Sequence, residues 1–138
     1  DNLVKAEFKR VIFHIECEDN VNEVINYAKS KNLEVGLAIK IDTSIESLEP
    51  YMDKIDLVLV MSIIPGSQGQ PFITDSLQKI REIKSKWHVK IGIDGHVNDE
   101  DIINIIDAGA THLIIGSYLL EGDINKRLGE LQEIIHGR

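Results

Sequence analysis

The run "IGIDGH", Ile91 to His96, places Asp94 between an apolar stretch and a glycine. An Asp there has little packing to do. It can cap a turn, ligate a divalent metal ion, or shuttle a proton at a carbon acid. Other strand-like runs also end in groups of chemical interest. "RVIFHIE" ends in His14 and Glu16, and "EVGLAIKI" carries Lys40, with Thr43 just beyond. "DLVLVMSI" carries Met61 and runs into "PGSQGQ", while "THLIIGS" ends in Gly116 and Ser117. His14 reads either as a hydrogen-bonded imidazole or as a ligand. Lys40 is a phosphate contact or, by preference, a side chain reaching solvent. Met61 is core, or an apolar wall near a reacting centre. Gly95, Gly116 and Ser117 offer backbone N–H groups and a hydroxyl next to helix starts, an arrangement that holds an anion. A turn or a helix cap explains any one of these glycines. Their recurrence at consecutive strand ends favours phosphate.

The elements that must position these groups follow a repeat. Five apolar, β-branched runs begin at Arg10, Glu34, Asp56, His88 and Thr111, about 22 to 32 residues apart. They are largely apolar rather than alternating, as in parallel strands covered on both faces. Helical periodicity lies between them. Val21, Val24, Ile25 and Ala28 share one face, as do Leu77, Ile80 and Ile83. Thr74 or Asp75 can cap the second of these helices, and Asn98 or Asp99 the next, which stops at Gly109. Pro50 limits the segment "SIESLEPYMDKI". "DINKRLGELQEIIHG" predicts a closing helix with Ile124, Leu128, Leu131 and Ile135 on one face.

Repeated βα units with short connections predict an α/β fold with a parallel sheet. Two architectures compete. A flavodoxin-like open sheet fits 138 residues. A (β/α)8 barrel needs about 250, so the chain would be only part of one. In both, chemistry sits beyond the C-terminal ends of the strands. A phosphate-receiver protein wants an Asp at the end of its third strand, where Met61 and Ser62 stand. A dinucleotide fold wants G-x-G-x-x-G after its first strand, and none is present.

Composition narrows the classes further. Hydrophobic residues make up 43% of the chain and the net charge is −8. Without a basic cluster, that charge argues against a nucleic-acid surface. The densest basic run, Lys84 to Lys86, reads as a solvated helix end. Cys17 is the single cysteine, read as free and buried; it excludes an intrachain disulfide and suits a reducing, cytoplasmic setting. No apolar run approaches the roughly 18 residues of a membrane span. The opening "DNLVKAEF" reads as the end of a helix begun upstream.

The order of these motifs resembles the ribulose-phosphate 3-epimerase family. "VIFHIE", "GLAIKIDTS", "DLVLVMSIIPGSQGQPF", "IGIDGH" and "AGATHLIIGS" follow that family's F-H-x-E, A-[LI]-[NK]-P-x-T, D-x-V-L-x-M-[TS]-V-x-P-G-F-x-G-Q-x-F, V-D-G-G, A-G-A and G-S. The family fold is a (β/α)8 barrel. The resemblance therefore implies a partial (β/α)8 TIM barrel lacking the first three strands, with residues 1–138 as its C-terminal part. It implies that Asp94 is a catalytic acid–base residue and a metal ligand. It implies that His14 and Met61 wall the reacting centre, and that Gly66, Ser67, Gln68 and Gly69 belong to a loop over the substrate. Gly95, His96, Gly116 and Ser117 would meet the phosphate.

The implied reaction is metal-dependent epimerisation of ribulose 5-phosphate to xylulose 5-phosphate, by proton transfer at C3 through an enediolate. The cofactor would be a divalent ion (Zn, Fe, Mn or Co). Its other ligands, and the second catalytic Asp, fall on strands this chain does not contain, so the chain by itself is expected to be inactive. Ser67 stands where the family has Phe, His96 where it has Gly, and Lys40-Ile41 where it has Lys-Pro or Asn-Pro. His96 also keeps allulose-6-phosphate 3-epimerase open. The rival readings are a non-catalytic phosphate-binding or assembly protein and a sugar-phosphate decarboxylase. The missing strands leave an open sheet edge, which predicts homo-oligomers or other association there.

Overall fold

Five apolar runs become five parallel strands, and the segments between them become helices, in a computed structural model of the chain. It describes residues 9–62, 75–94 and 99–114, with 125–126, 129–130 and 132–133. The strands are β1 (Arg10–His14), β2 (Glu34–Ile39), β3 (Leu57–Met61), β4 (Lys90–Asp94) and β5 (His112–Ile114). The helices are α1 (Val21–Ser30), α2 (Asp75–Lys86) and α3 (Asp99–Ala108), with a 3-10 helix at Ile45–Tyr51 between β2 and β3.

Local chemistry explains the boundaries. The Asn20 side chain caps α1 by accepting from the Glu23 N–H at 3.3 Å. Pro50 lies inside the 3-10 helix, which Ser44 caps; a Pro has no N–H for longer α-helical pairing. The chain leaves α3 through Gly109 at φ +120, a conformation that favours glycine. The closing helix expected around Ile124, Leu128, Leu131 and Ile135 has those four residues outside the described ones.

The sheet order is β1-β2-β3-β4-β5, all parallel. This order separates the two architectures. A flavodoxin-like sheet reverses direction after its first strand and sends helices to both faces. Here every strand pairs with the next in sequence, so right-handed crossovers deliver each helix to the same face. The arrangement is that of a partial (β/α)8 barrel.

Register and burial identify the two faces. Val11, Phe13, Val35, Leu37, Ile39, Val58, Val60, Ile91, Ile93 and Leu113 pack in one cluster with α1, α2 and α3. Within it Ile25, Leu48, Ile80, Ile83, Ile102 and Ile105 are essentially inaccessible. The alternate residues face the barrel interior: Ile12 and His14, Gly36 and Ala38, Leu57, Leu59 and Met61, Gly92 and Asp94, and His112. Small residues make room there. A Cβ on Gly92 would lie 3.1 Å from Leu59 Cδ1 and 3.3 Å from His112 Cβ. The strands β2, β3 and β4 are buried on both faces, as their apolar runs predict, whereas β1 at the sheet edge is only partly covered.

The N-terminal end of the sheet is tied by Asp56, just before β3. Its Oδ2 accepts from Lys29 Nζ at 2.7 Å and from the Val35 N–H at 2.8 Å, joining α1, β2 and β3. Burial acts to raise the Asp56 pKa, but these two bonds outweigh it and hold the carboxyl below its ordinary value. Cys17 is half-buried rather than buried as its type suggests; it lies in the turn after β1, where its Sγ reaches the Asp19 carbonyl at 3.5 Å.

Candidate active site

Asp94 is the last residue of β4, and alternation turns it to the helix-free face. Its register neighbours are Met61 on β3 and Ile114 on β5. A carboxylate thus stands at the C-terminal rim of the barrel interior, flanked by two apolar positions. The Asp94 carbonyl accepts from the Ser62 N–H at 2.7 Å and from Ser62 Oγ at 3.2 Å. Ser62 is fully buried.

His14 ends β1 on the same face but one layer lower. Its register runs through Ala38 and Leu59 to Gly92, not Asp94. Three strand spacings separate β1 from β4, about 14 Å along a flat sheet. His14 Nδ1 lies 3.6 Å from Glu16 Oε2, an ion-pair distance rather than a hydrogen bond.

Glu16 organises the loop after β2. Its Oε1 accepts from the Lys40 N–H at 3.0 Å and from the Thr43 hydroxyl. From the other side, the Lys79 ammonium on α2 donates to the carbonyls of Lys40 at 3.0 Å, Ile41 at 2.9 Å and Thr43. Residues 40–43 are therefore clamped between the turn after β1 and the helix after β3. Burial acts to raise the Glu16 pKa, yet the hydrogen bonds from Thr43 and Lys40 win and lower it. Burial lowers the pKa of Lys79, against Asp42 and Glu16, which raise it.

This network makes stability pH-dependent. A carboxyl whose pKa is depressed on folding contributes stability above its ordinary pKa, here 4.5. That contribution is lost as pH falls through the folded value. Between about pH 5 and pH 3 the parent protein should lose more Tm than Glu16→Gln does. Parallel melting curves for the two proteins over that range would contradict the assignment.

Among the described residues no group of three or more His, Cys, Asp or Glu could hold a metal ion. Asp94 is a single carboxylate, and a stable divalent site needs several protein ligands. The described residues therefore do not by themselves fit a metal centre. Also among the described residues, no helix is long and apolar enough to cross a membrane.

A sequence model of the Ribulose-phosphate 3 epimerase family matches residues 1–120. The chain belongs to the ribulose-phosphate 3-epimerase family. It is 34% identical over 128 residues to ribulose-phosphate 3-epimerase of Chlamydia trachomatis, covering 88% of this chain and 55% of that protein. Against the enzyme of that name from Buchnera aphidicola subsp. Baizongia pistaciae it is 38% identical over 120 residues, covering 83% and 53%. The Escherichia coli enzyme is 31% identical over 128 residues, covering 88% and 57%. The chain thus spans little more than half the length of these relatives.

Solved structures agree on the fold. Thiamine phosphate pyrophosphorylase from Pyrococcus furiosus superposes with a TM-score of 0.71 at 20% identity, over 98% of this chain and 63% of that one. Mycobacterium tuberculosis tryptophan synthase gives 0.75 at 15%, over 97% and 54%. Both are (β/α)8-barrel proteins, and the partial coverage matches a partial barrel.

Within the epimerase family frame, the structure brings Asp94 and Met61 side by side and sets His14 apart from them. Gly66, Ser67, Gln68, Gly69, Gly95, His96, Gly116 and Ser117 lie outside the described residues. Three further groups, two of them within the family motifs, have roles that only the fold exposes. Ser62 follows Met61 in the M-[TS] pair and binds the Asp94 backbone. Glu16 closes F-H-x-E and fastens the loop that carries Lys40 and Thr43. Lys79 precedes the buried Ile80, and its half-buried position on the flank of the apolar stripe is the one local sign that it turns inward.

Proposed function

We propose that this chain is the C-terminal part, residues 1–138, of a ketose-phosphate 3-epimerase, acting on ribulose 5-phosphate and xylulose 5-phosphate. The observation that carries the reading is Asp94, a strand-end carboxylate on the barrel-interior face beside Met61, in a member of the epimerase family. As a base, the Asp94 carboxylate takes the proton from C3. The C–H electrons pass into the enediolate, and an acid supplied by sequence outside this chain returns a proton to the opposite face. Met61 would supply an apolar wall beside Asp94, and His14 would line the wall one layer lower. The loop Gly66, Ser67, Gln68 and Gly69 would cover the substrate, while Gly95, His96, Gly116 and Ser117 would hold its phosphate.

A divalent metal ion (Zn, Fe, Mn or Co) would stabilise negative charge on the enediolate oxygens when bound. Asp94 is the ligand this chain would offer, and the rest of its coordination would come from elsewhere. A reducing, cytoplasmic location suits the lone Cys17.

The test is exchange at C3 in deuterated solvent, using the protein expressed from its complete reading frame with added Mn²⁺. Exchange on ribulose 5-phosphate supports the reading. Exchange confined to a hexulose 6-phosphate moves the substrate to the allulose class, for which His96 is the motivating departure. No exchange on either leaves a non-catalytic phosphate-binding barrel.

Association at the sheet edge is a separate expectation. Among the described residues β1 pairs with β2 alone, and its other edge has no partner strand. Such an edge pairs readily with another chain. Light scattering on the isolated 138-residue chain should show dimers or larger species; a monodisperse monomer would refute this.

A further inference from the structure

Ser62 is fully buried immediately after the last residue of β3. An Ala there would fill the strand end without burying a hydroxyl, so the hydroxyl needs a partner. Its partner is the Asp94 carbonyl at 3.2 Å, which also receives the Ser62 N–H at 2.7 Å. One residue therefore places two donors on one oxygen. The N–H bond simply continues the parallel ladder by one rung beyond Met61 and Asp94. The hydroxyl bond is additional, and nothing in sheet pairing demands it.

Its consequence falls on Asp94. This residue terminates β4, where the ladder that restrains a strand residue from both sides is running out. A carbonyl gripped by two donors limits rotation about the Asp94 Cα–C bond. The direction of the Cα–Cβ bond, and with it the carboxylate, is then set by β3. Proton transfer is sensitive to that direction, since displacement of a reacting group by about 1 Å can cost about 100-fold.

We propose that Ser62 is a positioning residue, whose buried hydroxyl fixes the Asp94 backbone and so aims its carboxylate. The proposal rests on the epimerase reading for its kinetic consequence, but not for its structural one. The experiment uses the protein from its complete reading frame, with Ser62→Ala and Ser62→Thr. In Ser62→Ala, kcat should fall about tenfold, the worth of one hydrogen bond, with KM within about twofold. Ser62→Thr, which restores the hydroxyl, should recover most of the loss. The ¹³C′ resonance of Asp94 should move upfield in Ser62→Ala and return in Ser62→Thr.

A kcat within twofold of the parent overturns the proposal, and so does a lowered kcat with an unmoved Asp94 carbonyl. A parent without C3 exchange overturns the epimerase reading instead; the Asp94 carbonyl resonance then decides the proposal alone, moved in support or unmoved against. If Ser62→Ala does not fold, Ser62→Cys keeps the bulk with a weaker donor and is judged by the same two readouts.

Discussion

On the proposed role of Asp94 as the base, Asp94→Asn should lower C3-proton exchange by about a thousandfold in the protein from its complete reading frame. The carboxamide keeps the shape and the hydrogen-bonding span of the side chain but cannot accept the proton from carbon. General acid–base groups contribute about 10²- to 10⁴-fold. The flanking residues on the same layer, Met61 and Ile114, are apolar. The substitution leaves the backbone contact from Ser62 in place, so folding should be undisturbed. The measurement is deuterium incorporation at C3 followed by NMR, with melting temperature as the folding control. A variant that retains a tenth of the parent rate with an unchanged Tm would remove Asp94 from the chemistry.

The second large effect is on stability. Ile80→Ala should destabilise the fold by about 2–5 kcal/mol. Ile80 is completely inaccessible on α2, in the same cluster as Val58, Val60 and Ile91 of the sheet. Deleting three carbons there loses their transfer free energy and leaves a cavity that a parallel sheet, stiff along its ladder, fills poorly. Domains are stable by only about 5–15 kcal/mol, so the loss is a large share of the whole. The same helix supplies the control. Gln78 is exposed and makes one i,i+4 bond to Glu82 at 3.1 Å, so Gln78→Ala should cost less than about 0.5 kcal/mol. Urea unfolding with equal m-values checks both. A loss below about 1 kcal/mol for Ile80→Ala would mean that α2 does not pack on the sheet as described.

These two residues differ in how openly the chain declares them. Ile80 is visible in the apolar spacing of Leu77, Ile80 and Ile83, because burial on a helix repeats with the helix period. Asp94 is visible as an acid misplaced at the end of an apolar run. Lys79 was not visible as a clamp. Its acceptors, the carbonyls of Lys40, Ile41 and Thr43, lie 36 to 39 residues earlier. Cys17 shows the opposite error: its type suggests burial, but the turn after β1 leaves it half-exposed.

By itself the sequence determined the strands, most helices, the apolar faces and the epimerase family, because these are written in local periodicity and contiguous motifs. Repeated βα units left open whether the sheet winds singly or doubly, since the same local pattern serves both. The strand order β1-β2-β3-β4-β5 settled that. Tertiary structure also decided that Met61, not His14, is the register neighbour of Asp94. It alone joined Ser62 to a carbonyl 32 residues away. The physical reason is common to both. Side-chain alternation is a property of one strand, whereas register and hydrogen-bond partners are properties of a pair, which comes into being only when the chain closes on itself.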